Sequence, residues 1–391
     1  MIRVLTFAAL LATLAVTGCA TSHTLDRRAP EQTYRHAQLS GAGQAPSAEP
    51  YRFFADSKVD WLYSDADKQT PLRVTEDQMH ILALSGGGAN GAFGAGVLNG
   101  LYESGDLPHY SVITGVSAGA LIAPFAFVGG AELERMKRVM LGINDKMVLG
   151  KRNFLNTLLK DAFTNGESLY AFIEQSYPAG MIEAIADQHR QGRRLFIGTT
   201  HFDSAELVIW NLGQIAASDL PNKVQLIHQV LTASASIPGV FPPQFIEVDI
   251  DGQTYEELHV DGGLASQVFY GPASIDYHQI NQALDLPYSP QVHVIRNGTL
   301  DIRYQAVPDK GINLLSRSLK SLTIRQTRGD LYRMLYYSQL EQVELAFAYV
   351  DTGDIPEKNS KKMFDIDYMQ ALYDYGYDKA MSEGLWATQL P

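Results

Sequence analysis

Two glycine-rich stretches hold residues whose types and spacing could do chemistry: Gly86-Gly87-Gly88-Ala89-Asn90-Gly91 and Gly115-Val116-Ser117-Ala118-Gly119. In a G-x-S-x-G turn the serine sits on a tight strand-to-helix bend that crowds the backbone. Only small residues fit beside it, and the hydroxyl stays exposed at the start of the next helix. Unpaired N–H groups there favour negative charge. Gly86, Gly87 and Gly88 supply a second set of backbone N–H groups with no side chain to block approach. A serine nucleophile beside backbone donors for an oxyanion points to acyl transfer. One such donor typically contributes about 2.7–4 kcal/mol in the transition state.

The flanking pattern says which elements must position these groups. An apolar run at residues 80–84 leads into Gly86, and a helix-like segment covers 92–103. A turn around Gly105 and Pro108 precedes a second apolar run at 112–114, which enters the Ser117 turn and another apolar helix. This order is strand, glycine loop, helix, strand, sharp turn, helix, a βαβα unit with a right-handed crossover. In a parallel α/β sheet both loops lie at the carboxyl ends of their strands and face one crevice.

On these residues the chain resembles the patatin-like lipid acyl hydrolases. The Gly86–Gly91 run matches that family's oxyanion loop, and Gly115 to Gly119 match its nucleophile elbow, with Ser117 as nucleophile. Asp261-Gly262-Gly263 matches its Asp-Gly-Gly/Ala motif, with Asp261 as base, and residues 233–242 resemble its segment after a central helix. The resemblance implies a three-layer α/β/α fold with a central, mostly parallel sheet over residues 51–391. It implies hydrolysis of lipid carboxylic esters by a Ser–Asp dyad without histidine, cofactor or metal. Aspartate, with a reference pKa of about 3.9, can serve only if aimed at the hydroxyl in a partly dry site. Asn90 stands where the family commonly carries Arg or Lys, which weakens a point attraction for phosphate and leaves phospholipid against neutral ester open.

Other chemistries fit less well. Gly86 to Gly91 also reads as G-x-G-x-x-G, but the next strand runs into Thr114-Gly115-Val116-Ser117 without the acid that a dinucleotide site wants. A Ser-His-Asp hydrolase would need a histidine after Asp261. His278 lies in a polar helix-like stretch and His293 inside a strand, neither in a glycine-rich loop. His259 with Asp261, and His201 with Asp203, could hold a metal, yet no H-E-x-x-H or C-x-x-C accompanies them. Packing and local hydrogen bonding are their expected roles. A non-catalytic lipoprotein that binds acyl chains or a partner is the rival from another class.

Composition bounds the rest. With 391 residues, 46% apolar and 19% charged, the chain has room for one large α/β domain. A net charge of −12 argues against nucleic acid as a partner. Residues 1–18, with Arg3 and an apolar core at 4–16, read as a signal peptide. Val16-Thr17-Gly18-Cys19 resembles a bacterial lipobox, which predicts a lipidated Cys19. With Ala20 following, a cell-envelope and outer-membrane location is expected. Acyl chains add about 0.8 kcal/mol of membrane affinity per buried methylene. Residues 19–50 then form a flexible tether.

Downstream, residues 131–141 and 154–163 read as helices, with the connection 146–152 as a candidate cap over the crevice. Strands are expected at 194–200 and 206–210, a helix at 223–234, and a hairpin of 245–250 with 255–260 over Asp251-Gly252, which brings Asp261 to a strand end. A strand follows at 292–295. Residues 310–333 carry six bases against Asp330 alone, with Ile312, Leu315, Leu319 and Leu322 on the opposite side of a helix. Residues 337–350 and 368–381 read as further helices.

Overall fold

The computed structural model describes residues 27–42, 49–64, 66–149, 166–358 and 360–391. The signal peptide, Cys19 and the helix expected at 154–163 lie outside these residues.

The alternation of the apolar runs builds a single mixed sheet. Its strands are β1 (Gln38–Leu39), β2 (Arg52–Phe54), β3 (His80–Leu84), β4 (Tyr110–Val116), β5 (Arg194–His201), β6 (Glu206–Asn211), β7 (Gln244–Ile250), β8 (Gln253–Asp261), β9 (Gln291–Arg296) and β10 (Glu344–Tyr349). They lie in the order β1-β7-β8-β5-β4-β3-β9-β10, with β6 pairing β5 and β2 pairing β6. From β5 to β10 neighbouring strands are parallel; β8, β7 and β1, and β6 and β2, join antiparallel. Strands buried on both faces are expected of such a parallel centre, and every residue of β4 and β5 is buried.

Helices cover both faces, which makes three layers. The helices used below are α1 (Gly91–Ser104), α2 (Ala118–Val128), α3 (Ala131–Gly142), α4 (Lys223–Ser234), α5 (Gly311–Leu340) and α6 (Ile366–Ala380). Leu82, Leu84, Ile113 and Ile197 point into a core with α1, α2, α3, α4 and α6. Ile81, Ala83, Val112 and Phe196 point the other way, onto Phe53, Leu62, Leu331 and Met334. Successive strand residues face opposite sides, so one run of apolar residues serves both cores. The hairpin turns at Asp251 (φ 50°) and Gly252 (φ 76°), the two left-handed residues a tight hairpin wants.

Two expectations need correction. Residues 337–350 are not one helix: α5 stops at Leu340 and 344–349 form the edge strand β10, parallel to β9. Their short apolar run finds its hydrogen-bond partners across the sheet. Nor do all of residues 19–50 stand clear as a tether. Leu39 is buried in β1 against β7, and the Tyr34 ring stacks on His201 while its hydroxyl donates to Glu206. Aromatic area and a free edge of β7 capture this part of the segment.

Candidate active site

Ser117 stands between the end of β4 and the start of α2 with φ 54° and ψ −122°, a conformation that non-glycine residues occupy only when their surroundings enforce it. Here the packing enforces it. A Cβ on Gly119 would stand 2.3 Å from the Leu84 carbonyl oxygen, and one on Gly115 would stand 2.6 Å from the Gly119 carbonyl oxygen. The Ser117 N–H donates to Ser234 Oγ at 3.0 Å, and that hydroxyl donates onward to the Gly198 carbonyl at 2.7 Å. Ser234, the last residue of α4, thus ties the bend to β5.

Asp261 closes β8 opposite Thr199 of β5. Its Oδ1 accepts from the Gly263 N–H at 2.8 Å, and its Oδ2 accepts from Ser117 Oγ at 2.7 Å, although 144 positions separate the two residues in sequence. Both side chains are buried. Burial raises the Asp261 carboxyl from 3.8 to about 6, while the Ser117 and Gly263 hydrogen bonds pull it down. His259, two residues earlier, is turned to other partners, with Nδ1 3.0 Å from Thr199 Oγ1 and Nε2 3.1 Å from Glu257. His293 meets Tyr110 at 3.0 Å and stacks on Trp386, and His278 pairs with Gln282.

The glycine loop leaves β3 beside Ser117. The Gly86 N–H is committed to the Gln267 carbonyl at 3.1 Å, so Gly86 leaves the set of oxyanion donors expected for Gly86, Gly87 and Gly88. Its bareness serves space instead, since a Cβ there would lie 3.2 Å from that of Ser117. The amides of Gly87 and Gly88 meet no acceptor among the described residues. Ala118, first in α2, carries an amide that a helix start leaves without an intrahelical partner. Gly88, Ser117 and Ala118 open onto a narrow slot walled by Leu121, Met140, Val148, Phe172, Phe241 and Met369. Apolar walls with polar groups at one end suit an acyl chain whose ester lies at the serine. Val148 belongs to the expected cap at 146–152, the last residues of which lie outside the described ones.

Residues at the end of β9 and just after it brace the loop and were not anticipated. Arg296 donates to the Gly86 carbonyl at 2.8 Å, and Asn297 donates to the Ser85 carbonyl at 2.8 Å while accepting from the Gly94 N–H at 3.1 Å. Arg296 is buried with no carboxylate partner among the described residues, and burial lowers it to about 10. A charged residue closing a buried parallel strand was the available signal, because ligands bind at that end of such sheets. Asn90 turns its Oδ1 to the Tyr368 hydroxyl at 2.8 Å.

Residues 82–273 match the family model described as patatin-like phospholipase. An uncharacterized protein of Acanthamoeba polyphaga mimivirus is 26% identical over 206 residues, which cover 49% of this chain and 63% of that protein's length. Among solved structures, VipD from Legionella pneumophila is similar at TM-score 0.39 and 13% identity, over 78% of this chain and 66% of that one. The type III effector protein ExoU is similar at TM-score 0.33 and 13% identity, over 78% and 53%. Over residues 82–273, the stretch that holds both glycine loops, Ser117 and Asp261, the chain is thus similar to patatin-like phospholipases.

Proposed function

We propose that the chain is a lipid acyl hydrolase that cleaves carboxylic esters through an acyl-serine intermediate. The observation that carries this reading is the 2.7 Å bond from Ser117 Oγ to Asp261 Oδ2 beside glycine amides that meet no acceptor among the described residues. Ser117 Oγ attacks the ester carbonyl as its proton passes to Asp261. The carbonyl oxygen, now negative, is received by the N–H groups of Gly87 and Gly88, with Ala118 as a further donor. Collapse expels the alcohol, which takes the proton back from Asp261. Water then attacks the acyl-serine, with Asp261 again as base, and the carboxylic acid leaves. Burial supports the base: a carboxyl near 6 accepts a proton more readily than one at its ordinary value and is still ionised at neutral pH. The organisation read from the sequence, a signal peptide at 1–18, a lipidated Cys19 and an envelope location, belongs to the same proposal.

A fluorophosphonate probe should label the wild-type chain and not Ser117→Ala. Mass spectrometry of membrane lipid extracts should show free fatty acid only with the wild type. Labelling retained in Ser117→Ala would remove the serine from its role, and an unlabelled chain that still binds lipid would be the non-catalytic lipoprotein.

A further inference from the structure

Helix α5 does not bury the leucines its sequence offers. From Ile324 onward it packs through Ile324, Thr327, Leu331 and Met334, and holds the Asp261 turn: Gln326 donates to the Leu264 carbonyl, and Asp330 accepts from the Gln267 N–H at 2.8 Å. Its earlier half leaves Leu315, Leu319 and Leu322 exposed to 55%, 56% and 66%, and Tyr304 just before it to 97%. Those three leucines, spaced i, i+4 and i+7, share one side of the helix.

Residues 311–329 include Arg317, Lys320, Arg325 and Arg328 and no acid, within a chain of net charge −12. Arg328 is occupied by Asp301, whereas Lys320 and Arg325 meet no carboxylate among the described residues. Lys320 also lies near enough to Lys358 for their charges to repel. Phe364, six positions beyond Lys358 in sequence, stands in the wall of the acyl slot.

We propose that this earlier half of α5, with Tyr304, is the face by which the domain settles on a bilayer bearing anionic headgroups. Exposed leucines along one side of a helix, bases on its other sides and an aromatic residue at the edge are what an interfacial helix presents. An acidic protein is repelled by such a surface in other orientations, so the basic face also sets the pose. That pose turns the neighbouring slot toward the lipid. The proposal takes its purpose from the hydrolase reading, but its test does not depend on turnover.

The full chain is prepared with Cys19→Ala and Leu319→Cys, so that an environment-sensitive dye on the new thiol reports the helix alone. Emission should shift to the blue on vesicles of phosphatidylglycerol with phosphatidylcholine and stay unshifted on phosphatidylcholine alone. Each base near such a surface is worth about 1 kcal/mol, so Lys320→Gln with Arg325→Gln should raise the lipid needed for half the shift roughly 30-fold. An equal shift on both vesicles, no shift on either, or a shift without lipid that grows with protein concentration would overturn the docking face, the last in favour of a second copy. Hydrolysis of a soluble ester by the same chains separates the two ideas: activity without the shift sinks the docking alone, and the shift without activity sinks the hydrolase reading alone.

Discussion

Replacing Asp261 with Asn should abolish ester hydrolysis while making the protein more stable. The side chains are nearly isosteric, and Asn can still accept from the Gly263 N–H and donate to Ser117 Oγ, so the pair keeps one hydrogen bond with its direction reversed. What disappears is an ionised carboxylate in a dry site. A carboxyl moved from 3.8 to about 6 by burial is disfavoured when charged by about 3 kcal/mol. The sign follows from proton binding. Between those two pH values the folded chain keeps a proton that the unfolded chain has released, so wild-type stability falls as pH rises through this window and then levels. Asn carries no such burden. Urea unfolding should therefore show the two proteins close near pH 4 and the variant ahead by up to about 3 kcal/mol above pH 7. Wild-type activity on a soluble ester should fall about tenfold per pH unit below about 6, as the base becomes protonated. A stability difference that does not change between pH 4 and 8 would refute the buried charge, and a fully active variant would remove Asp261 as base.

Gly119→Ala places a Cβ 2.3 Å from the Leu84 carbonyl oxygen, where backbone cannot yield cheaply, so a loss of about 1–3 kcal/mol in thermal unfolding is expected together with loss of activity. Unchanged melting and rate would mean that the bend tolerates more than its packing suggests. Arg296→Met should lower kcat roughly tenfold to a hundredfold with little change in KM, and Arg296→Lys should recover part of it. The bond it makes to the Gly86 carbonyl orients the peptide whose other end is the Gly87 N–H. A change confined to KM would place Arg296 in substrate binding instead.

The parts of the site that follow from local rules were legible in the sequence. A serine between glycines after an apolar run needs a sharp bend, and Asp251-Gly252 needs a hairpin, so β4, α2 and β8 fall where the residues put them. What depends on a distant partner was not. The run at 344–349 is apolar enough for a buried helix or a strand, and only the free edge of β9 decides. Gly86 lost its place as a donor to a carbonyl in a loop far along the chain, that of Gln267. The leucines of α5 follow a helical period, but periodicity does not say which arc meets the sheet. The buried arc is that of Ile324, Thr327 and Leu331, well round the helix from Leu315 and Leu322.

Arg296 makes sense of a site that otherwise holds one charge too few. In the proposed reaction the negative charge does not stay on Asp261. As the serine proton arrives there, the charge reappears on the ester oxygen at the glycine loop. A single acidic base gives no imidazolium to balance that oxyanion, unlike a serine-histidine site. The loop must therefore be the more positive side, and backbone amides alone offer only partial charges. A guanidinium bonded to the Gly86 carbonyl, buried and unshared with any described acid, stands behind those amides where salt screens it little. It sits on a strand end rather than at position 90 in the loop, where Asn90 is instead held by Tyr368. A cation in the wall favours charge arriving at the loop without presenting a side chain to the substrate. Sensitivity of kcat to Arg296 but not to Asn90→Ala would separate this arrangement from one in which the loop residue itself meets the substrate.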